Sequence, residues 1–188
     1  MPDDTPDQDR RSLLRDAIPA AAIAAVAAGA AQAQTPDAPA YAIPGLRLAF
    51  TAWVQIAALK PIGDIPGGQG RIVPITGGDF EGPRIRGKVM TGGADWQTVR
   101  PDGVTELRAH YGLEASDGAI IQVWNTVIAR ADPPAQGETT PTRFLRSTIR
   151  LEAPKGPHDW LNKAVFVGTL NAPADPRAPV TIRCFEVI

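Results

Sequence analysis

From Leu46 onward, apolar and polar positions alternate with a period of two. Leu46, Leu48, Phe50, Ala52, Val54 and Ile56 share one face of the first stretch, and Arg47, Thr51 and Gln55 share the other. Successive side chains of extended backbone point to opposite sides, so this alternation predicts a half-buried strand. The same reading predicts strands over residues 71–76, 80–82, 85–90, 104–113, 119–130, 143–152, 164–170 and 180–188. Pro74 cannot donate to a ladder and marks its strand as an edge or a bulge. Residues 63–70, Gly77-Gly78, Asp102-Gly103 and Asp117-Gly118 read as turns, the last two as hairpin turns. Residues 131–141 and 171–179 read as loops, and residues 159–163 as one helical turn.

No window from residue 46 onward keeps a helical period. Short strands joined by Gly, Pro and Asp turns predict an all-β domain over residues 46–188, either a single antiparallel β-barrel or a sandwich. The barrel is preferred. Several strands carry polar residues on one face and large apolar ones on the other, which suits a lumen that holds a ligand.

The N-terminal region has a different pattern. Arg10-Arg11-Ser12-Leu13-Leu14-Arg15 is followed by an uncharged, alanine-rich run over residues 17–30 and then by Ala31-Gln32-Ala33. Basic n-region, apolar h-region and A-x-A site in that order predict a cleavable signal peptide over residues 1–33. The paired arginines point to the twin-arginine export machinery and so to the periplasm. The run is short and interrupted by Pro19, whereas a bilayer span takes roughly 20 apolar residues, so no stable membrane anchor is expected. Residues 34–45 are rich in Pro and Ala and read as an extended tether.

Composition narrows the chemistry. The chain has 188 residues, 44% hydrophobic, with 19 basic and 20 acidic side chains. That balance gives no reason to expect nucleic acid as a partner. Cys184 is the single cysteine, which rules out an internal disulfide, a cysteine zinc site and a CxxC pair, and it alternates with the apolar Val180 and Ile182 as a core residue would. His110 and His158 are the only histidines, too few for a histidine-rich metal site. No metal and no cofactor are expected. Neither Gly77-Gly78 nor Gly92-Gly93 has the strand–turn–helix context of a dinucleotide site, and no Ser-His-Asp order or nucleophile elbow is present. Composition leaves a homo-oligomer open.

Chemical variety concentrates in residues 92–103, GGADWQTVRPDG. Asp95 beside Trp96 could serve as a general base, since an apolar wall disfavours the carboxylate. In the bland alternative Asp95 caps a turn and Trp96 plugs the barrel. Gln97 adds an amide. Arg100 suits a ligand carboxylate or enolate oxygen, or else pairs with Asp102 or Glu106. Asp95 and Arg100 are five residues apart and would face opposite ways on one straight strand. They converge only if the strand bends or Arg100 already lies in the turn at Pro101. Glu106, Arg108 and His110 line one strand face and form either an acid–base array in a lumen or a solvated outer face. Asn125 sits in an otherwise apolar row and needs a partner if buried. Trp160 and Asn162 belong to the short turn that could close one barrel end.

Four ordered motifs carry a resemblance. RIVPITGGDFEGP (71–83), GGADWQTVRPDG (92–103), DGAIIQVWN (117–125) and WLNKAVFVG (160–168) resemble the bacterial and fungal proteins grouped as domain of unknown function 3237, also called UPF0311. The resemblance implies a small antiparallel barrel of calycin-like appearance and brings no general activity with it. The segment after the proline loop, TPTRFLRSTIRLEAPKG (140–156), departs from the family's usual tyrosine and threonine-proline-rich strand.

Three functions follow in order of preference. The first is a module that binds a small, partly aromatic or lipophilic molecule in or at the mouth of the barrel. The second is a cofactor-free lyase or isomerase acting on an acidic C–H bond, with Asp95 or Glu106 as base and Arg100 steadying the oxyanion. The third is an envelope protein-interaction module. The ligand-contact candidates are Trp96, Gln97, Asn125 and Trp160.

The N-terminal reading has a direct test. Replacing Arg10 and Arg11 by Lys is expected to stop maturation and leave the unprocessed chain in the cell. A mature-length product at undiminished level in the periplasmic fraction would remove the twin-arginine route.

Overall fold

The computed structural model of the chain describes residues 43–188, apart from residues 135, 138, 140, 141, 174 and 176. The expected signal peptide and the tether up to residue 42 lie outside the described residues. The strands are β1 (Leu46–Ile56), β2 (Lys60–Ile65), β3 (Gly68–Glu81), β4 (Arg86–Val89), β5 (Ala94–Val99), β6 (Thr105–Ala115), β7 (Ile120–Asp132), β8 (Thr142–Glu152), β9 (Phe166–Asn171) and β10 (Val180–Val187). One 3-10 turn, Asp159–Lys163, stands between β8 and β9, and the described residues contain no α-helix.

All pairings are antiparallel, and the sheet closes on itself. Its path runs β1-β10-β9-β8-β7-β6-β4-β3, and β3 returns to β1. β5 pairs β3 and β6 beside β4, and β2 pairs β3 beyond the end of β1. Two strands therefore share one position twice, and the ten strands make an eight-position barrel. Closure leaves no sheet edges along the wall where it is complete. The chain is the barrel that the alternation predicted, and the sandwich is excluded.

Three local expectations change. Gly77-Gly78 is no turn but lies inside β3, with φ of 139° and 131°. It switches the strand's inward parity, so that Val73 and Ile75 face in before it and Phe80 faces in after it. Residues 63–70 contain the ends of a β2–β3 hairpin that turns at Pro66-Gly67. In β1 a bulge between Leu48 and Phe50 shifts the register. Ala49 and Phe50 are both buried, whereas Leu46 and Leu48 point to solvent rather than continuing the apolar row. Pro74 sits within β3, and its carbonyl accepts from Ala57 N at 2.9 Å where the chain passes from β1 to β2. No ladder N–H is required of it on that side.

One end of the barrel is packed solid. Phe50, Phe80, Leu161 and Phe166 are each 2% exposed. The 3-10 turn covers this end. Leu161 plugs it, and Trp160 meets Phe166 edge-on at 5.9 Å with the Arg84 guanidinium 3.8 Å above its ring. Asn162 clamps the turn to Ala153 by two bonds of 2.9 Å, and His158 Nε2 lies 2.9 Å from Asp117 Oδ2.

Closure has a steric condition at Gly78. A Cβ there would stand 2.0 Å from the Trp53 carbonyl oxygen of β1, in a backbone conformation that side chains avoid. Gly78→Ala is therefore expected to cost about 3 kcal/mol or more. Gly103→Asn, at φ 85° with nothing within 4 Å, is expected to cost less than about 1 kcal/mol. Thermal melts of the two variants check the pair, and equal losses would refute the account of closure.

Candidate functional site

The opposite half of the barrel is not filled. A cavity of about 210 Å³ lies between β1, β3 and β5 to β10. Its wall is mostly aliphatic, with Val54, Val73, Leu107, Val127, Leu145 and Ile182 among the lining residues. It is smaller than the typical small-molecule site of roughly 300–1,000 Å³. The polar lining groups are Arg71, Asp95, Gln97, Thr105, Tyr111, Asn125 and Arg143.

Register explains why these residues meet. Asp95 of β5 pairs with Ala109 of β6, and Ala109 pairs with Asn125 of β7. The three form one row across the wall, with the smallest side chain in the middle. One row along, Arg71 of β3 pairs with Gln97 of β5, and Gln97 with Leu107 of β6. Side chains two apart on a strand share a face, so Asp95 and Gln97 both point inward. Arg71 Nε donates to Gln97 Oε1 at 2.7 Å, and Gln97 Nε2 donates to Asp95 Oδ2 at 2.6 Å. The first bond fixes which end of the Gln97 amide faces the carboxyl, so the second bond is a donation.

Of the four buried side-chain polar atoms without a partner among the described residues, two belong to the cavity lining. Asp95 Oδ1 and Asn125 Oδ1 are both buried with no hydrogen bond, and Asn125 is 1% exposed. Buried polar atoms without partners are rare and costly. Burial pushes the Asp95 carboxyl above its ordinary value, and the Gln97 bond, the Arg108 backbone N–H and the Arg71 charge oppose this without cancelling it. Tyr111, buried beside the same cavity, has its phenol raised chiefly by burial as well. Burial holds the Cys184 thiol at about 12, which keeps it protonated and unreactive in the core. Among the described residues no group of three or more His, Cys, Asp or Glu is placed to hold a metal ion.

The sequence candidates divide between the two sides of the wall. Asp95, Gln97 and Asn125 line the cavity. Trp96 is 54% exposed on the outer face. Arg100 lies outside too, in the turn after β5, where it pairs with Asp102 and, at 3.1 Å, with Glu106. Glu106 also holds Arg108. The expected meeting of Asp95, Trp96 and Arg100 on one cavity does not occur, because β5 stays straight and alternates through Val99. Glu106, Arg108 and His110 form the outer face of β6, and His110 stacks on Trp124 at 4.8 Å. Trp160 belongs to the closed end.

Arg71, Tyr111 and Arg143 were not among the site candidates. Arg71 shares parity with Val73 and Ile75, and Arg143 with Leu145, both of which are buried. A basic residue continuing an apolar row was the available signal.

Comparisons agree with this architecture. The UPF0311 protein of Rhodopseudomonas palustris (strain TIE-1) is 35% identical over 134 residues, 67% of this chain and 87% of that protein. A UPF0311 protein of Clostridium acetobutylicum is 44% identical over 107 residues, 53% of this chain and 68% of that one. The crystal structure of a β-barrel-like protein from Acinetobacter baumannii AYE shares the fold at a TM-score of 0.71 and 27% identity, covering 79% of this chain and 98% of that chain. Residues 44–187 match the family described as protein of unknown function (DUF3237), and with these UPF0311 relatives the match shows that the chain belongs to that family.

Proposed function

We propose that the barrel binds a small, partly aromatic or lipophilic molecule in its open half, and that it does so in the periplasm after twin-arginine export. The observation that carries the reading is the pair of buried, unpartnered oxygens on Asp95 and Asn125 in an otherwise apolar cavity wall. A ligand with an apolar body and a hydrogen-bond donor suits both features. The body replaces water against the aliphatic wall, and the donor satisfies an oxygen that the protein leaves unpaired.

A second reading is favoured by one further observation. The Asp95 carboxyl is raised by burial and held at Oδ2 by Gln97, which leaves Oδ1 free to take a proton. That is what a general base for a cofactor-free lyase or isomerase requires. Arg71 is then the guanidinium on the lumen side, since Arg100 and Glu106 are engaged outside.

One experiment separates the two. The full-length chain is incubated with a panel of lipophilic hydroxyl compounds and followed by native mass spectrometry. A complex of unchanged ligand mass supports binding, and a product of altered mass supports turnover. If no member of the panel binds or changes, the lumen reading fails. In Asp95→Asn, the new amide presents N–H where the ligand donor should arrive. Affinity is expected to fall by roughly tenfold or more, the scale of a bond to a charged group.

The raised carboxyl also sets a pH dependence. The native state holds the Asp95 proton more tightly than the unfolded chain, so this group's stabilising contribution is present below the ordinary carboxyl value of 3.8. It is lost as pH rises through the higher native value. Asp95→Asn keeps an acceptor for Gln97 and removes the buried charge. It is expected to melt higher than the parent at pH 7, by a few degrees for each ~1 kcal/mol relieved, and level with it near pH 3. A variant that melts lower at pH 7 would show instead that the ionised carboxylate holds the barrel together.

A further inference from the structure

On the outer wall, Arg100, Arg108, Arg130 and Arg150 each sit against a carboxylate. Among the described arginines, exposed Arg86, Arg146 and Arg183 have no carboxylate within ion-pair distance, so what sets Arg71 and Arg143 apart is their place on the cavity lining. The partner of Arg71 is the neutral Gln97 amide, and that of Arg143 is the Ala172 carbonyl oxygen at 3.3 Å. Among the described residues no carboxylate stands within ion-pair distance of either. The third charged lining residue is Asp95, so the cavity wall is net positive whether that carboxyl is ionised or not. The whole chain is close to neutral, so this excess is local.

We propose that the ligand is a small organic acid, with its carboxylate held by Arg71 and by Arg143, which is exposed at the cavity's rim, and its single O–H donating to Asp95. This deepens the lumen-binding reading and rests on it. A planar guanidinium fork matches a carboxylate and gains most where water is scarce. Arg71 is half-buried, and its Nε is already committed to Gln97, which aims the rest of the fork away from that bond. Arg71 and Asp95 are diagonal neighbours across the β3–β5 pair, a separation of roughly 7–8 Å. A compact hydroxylated acid can span that diagonal with its apolar body against the aliphatic wall. The same geometry disfavours a ligand with an acid at both ends, since one would face the Asp95 carboxyl.

The test uses three matched probes on the full-length chain: 4-hydroxyphenylacetate, its methyl ester, and phenylacetate. Amide chemical shifts of the lumen strands and the titrated affinities are read. The hydroxylated acid is expected to bind roughly tenfold tighter than the ester and than phenylacetate. Its affinity should fall with added salt while that of the ester does not. In Arg71→Met, checked for folding by its melt, acid and ester should converge. Arg143→Met and the salt series on the parent chain give the same information if Arg71→Met does not fold. An ester that binds as well as the acid overturns the acid class and leaves lumen binding standing. If none of the three probes perturbs the lumen, both fail together.

Discussion

The pairing of β3 with β1 is the contact on which the rest of the molecule depends. Without it the ten strands are an open, curled sheet. With it every wall position has an inside and an outside. The contact is close: the Gly78 position faces the Trp53 carbonyl with no room for a Cβ. Two consecutive glycines at positive φ let β3 follow β1 at one end and change its inward parity on the way. Phe80 thereby joins the packed end, while Arg71, Val73 and Ile75 face the cavity.

Closure also sorts charge. Strand residues of odd and even parity are sent to media of very different dielectric. Outside, arginines and carboxylates pair in water at little energetic consequence. Inside, a single carboxyl on β5 is shifted upward by burial, and an amide in the same row, two strands away on β7, is left with an unbonded oxygen. The Arg71–Gln97–Asp95 chain is ordered by two bonds in sequence, Arg71 to Gln97 and Gln97 to Asp95. The two ends of the barrel divide the work. One is stopped by Leu161 and the surrounding aromatics, so the open half can stay unfilled without loss of a core.

Much of the barrel was legible in the chain. Alternation in β6, from Leu107 to Leu113, and in β7, through Ile121, Val123, Asn125 and Val127, gave the residues that share a face, because a period of two survives whatever the strand pairs with. Which face of β6 meets the lumen was left open, and the structure turns the apolar row inward. The short turn at 159–163 and the core position of Cys184 were legible for the same local reason. Asp95, Gln97 and Asn125 could be singled out as polar residues in or beside apolar rows. Where the reading departed from the structure, the cause was not local. Gly77-Gly78 carries the composition of a turn, and only contact with β1 makes it part of a continuous strand. The bulge that turns Leu46 and Leu48 outward is set by β10.

By itself, then, the sequence determined the class of the fold, which residues share a face on its most regular strands and the segment that holds the acid. These depend on neighbours within a few residues, where backbone geometry leaves little choice. The tertiary structure decided which polar groups converge. Proximity in sequence tied Asp95 to Trp96 and Arg100, yet a straight strand sends the indole outward and its turn carries the guanidinium to Asp102 and Glu106. The arginine that reaches the acid's hydrogen-bond chain is Arg71, two strand-turns earlier, brought there by the register of β3 against β5. Register is a property of a strand pair and not of either strand alone, so only the pairing of β3 with β5 could bring these groups to one wall.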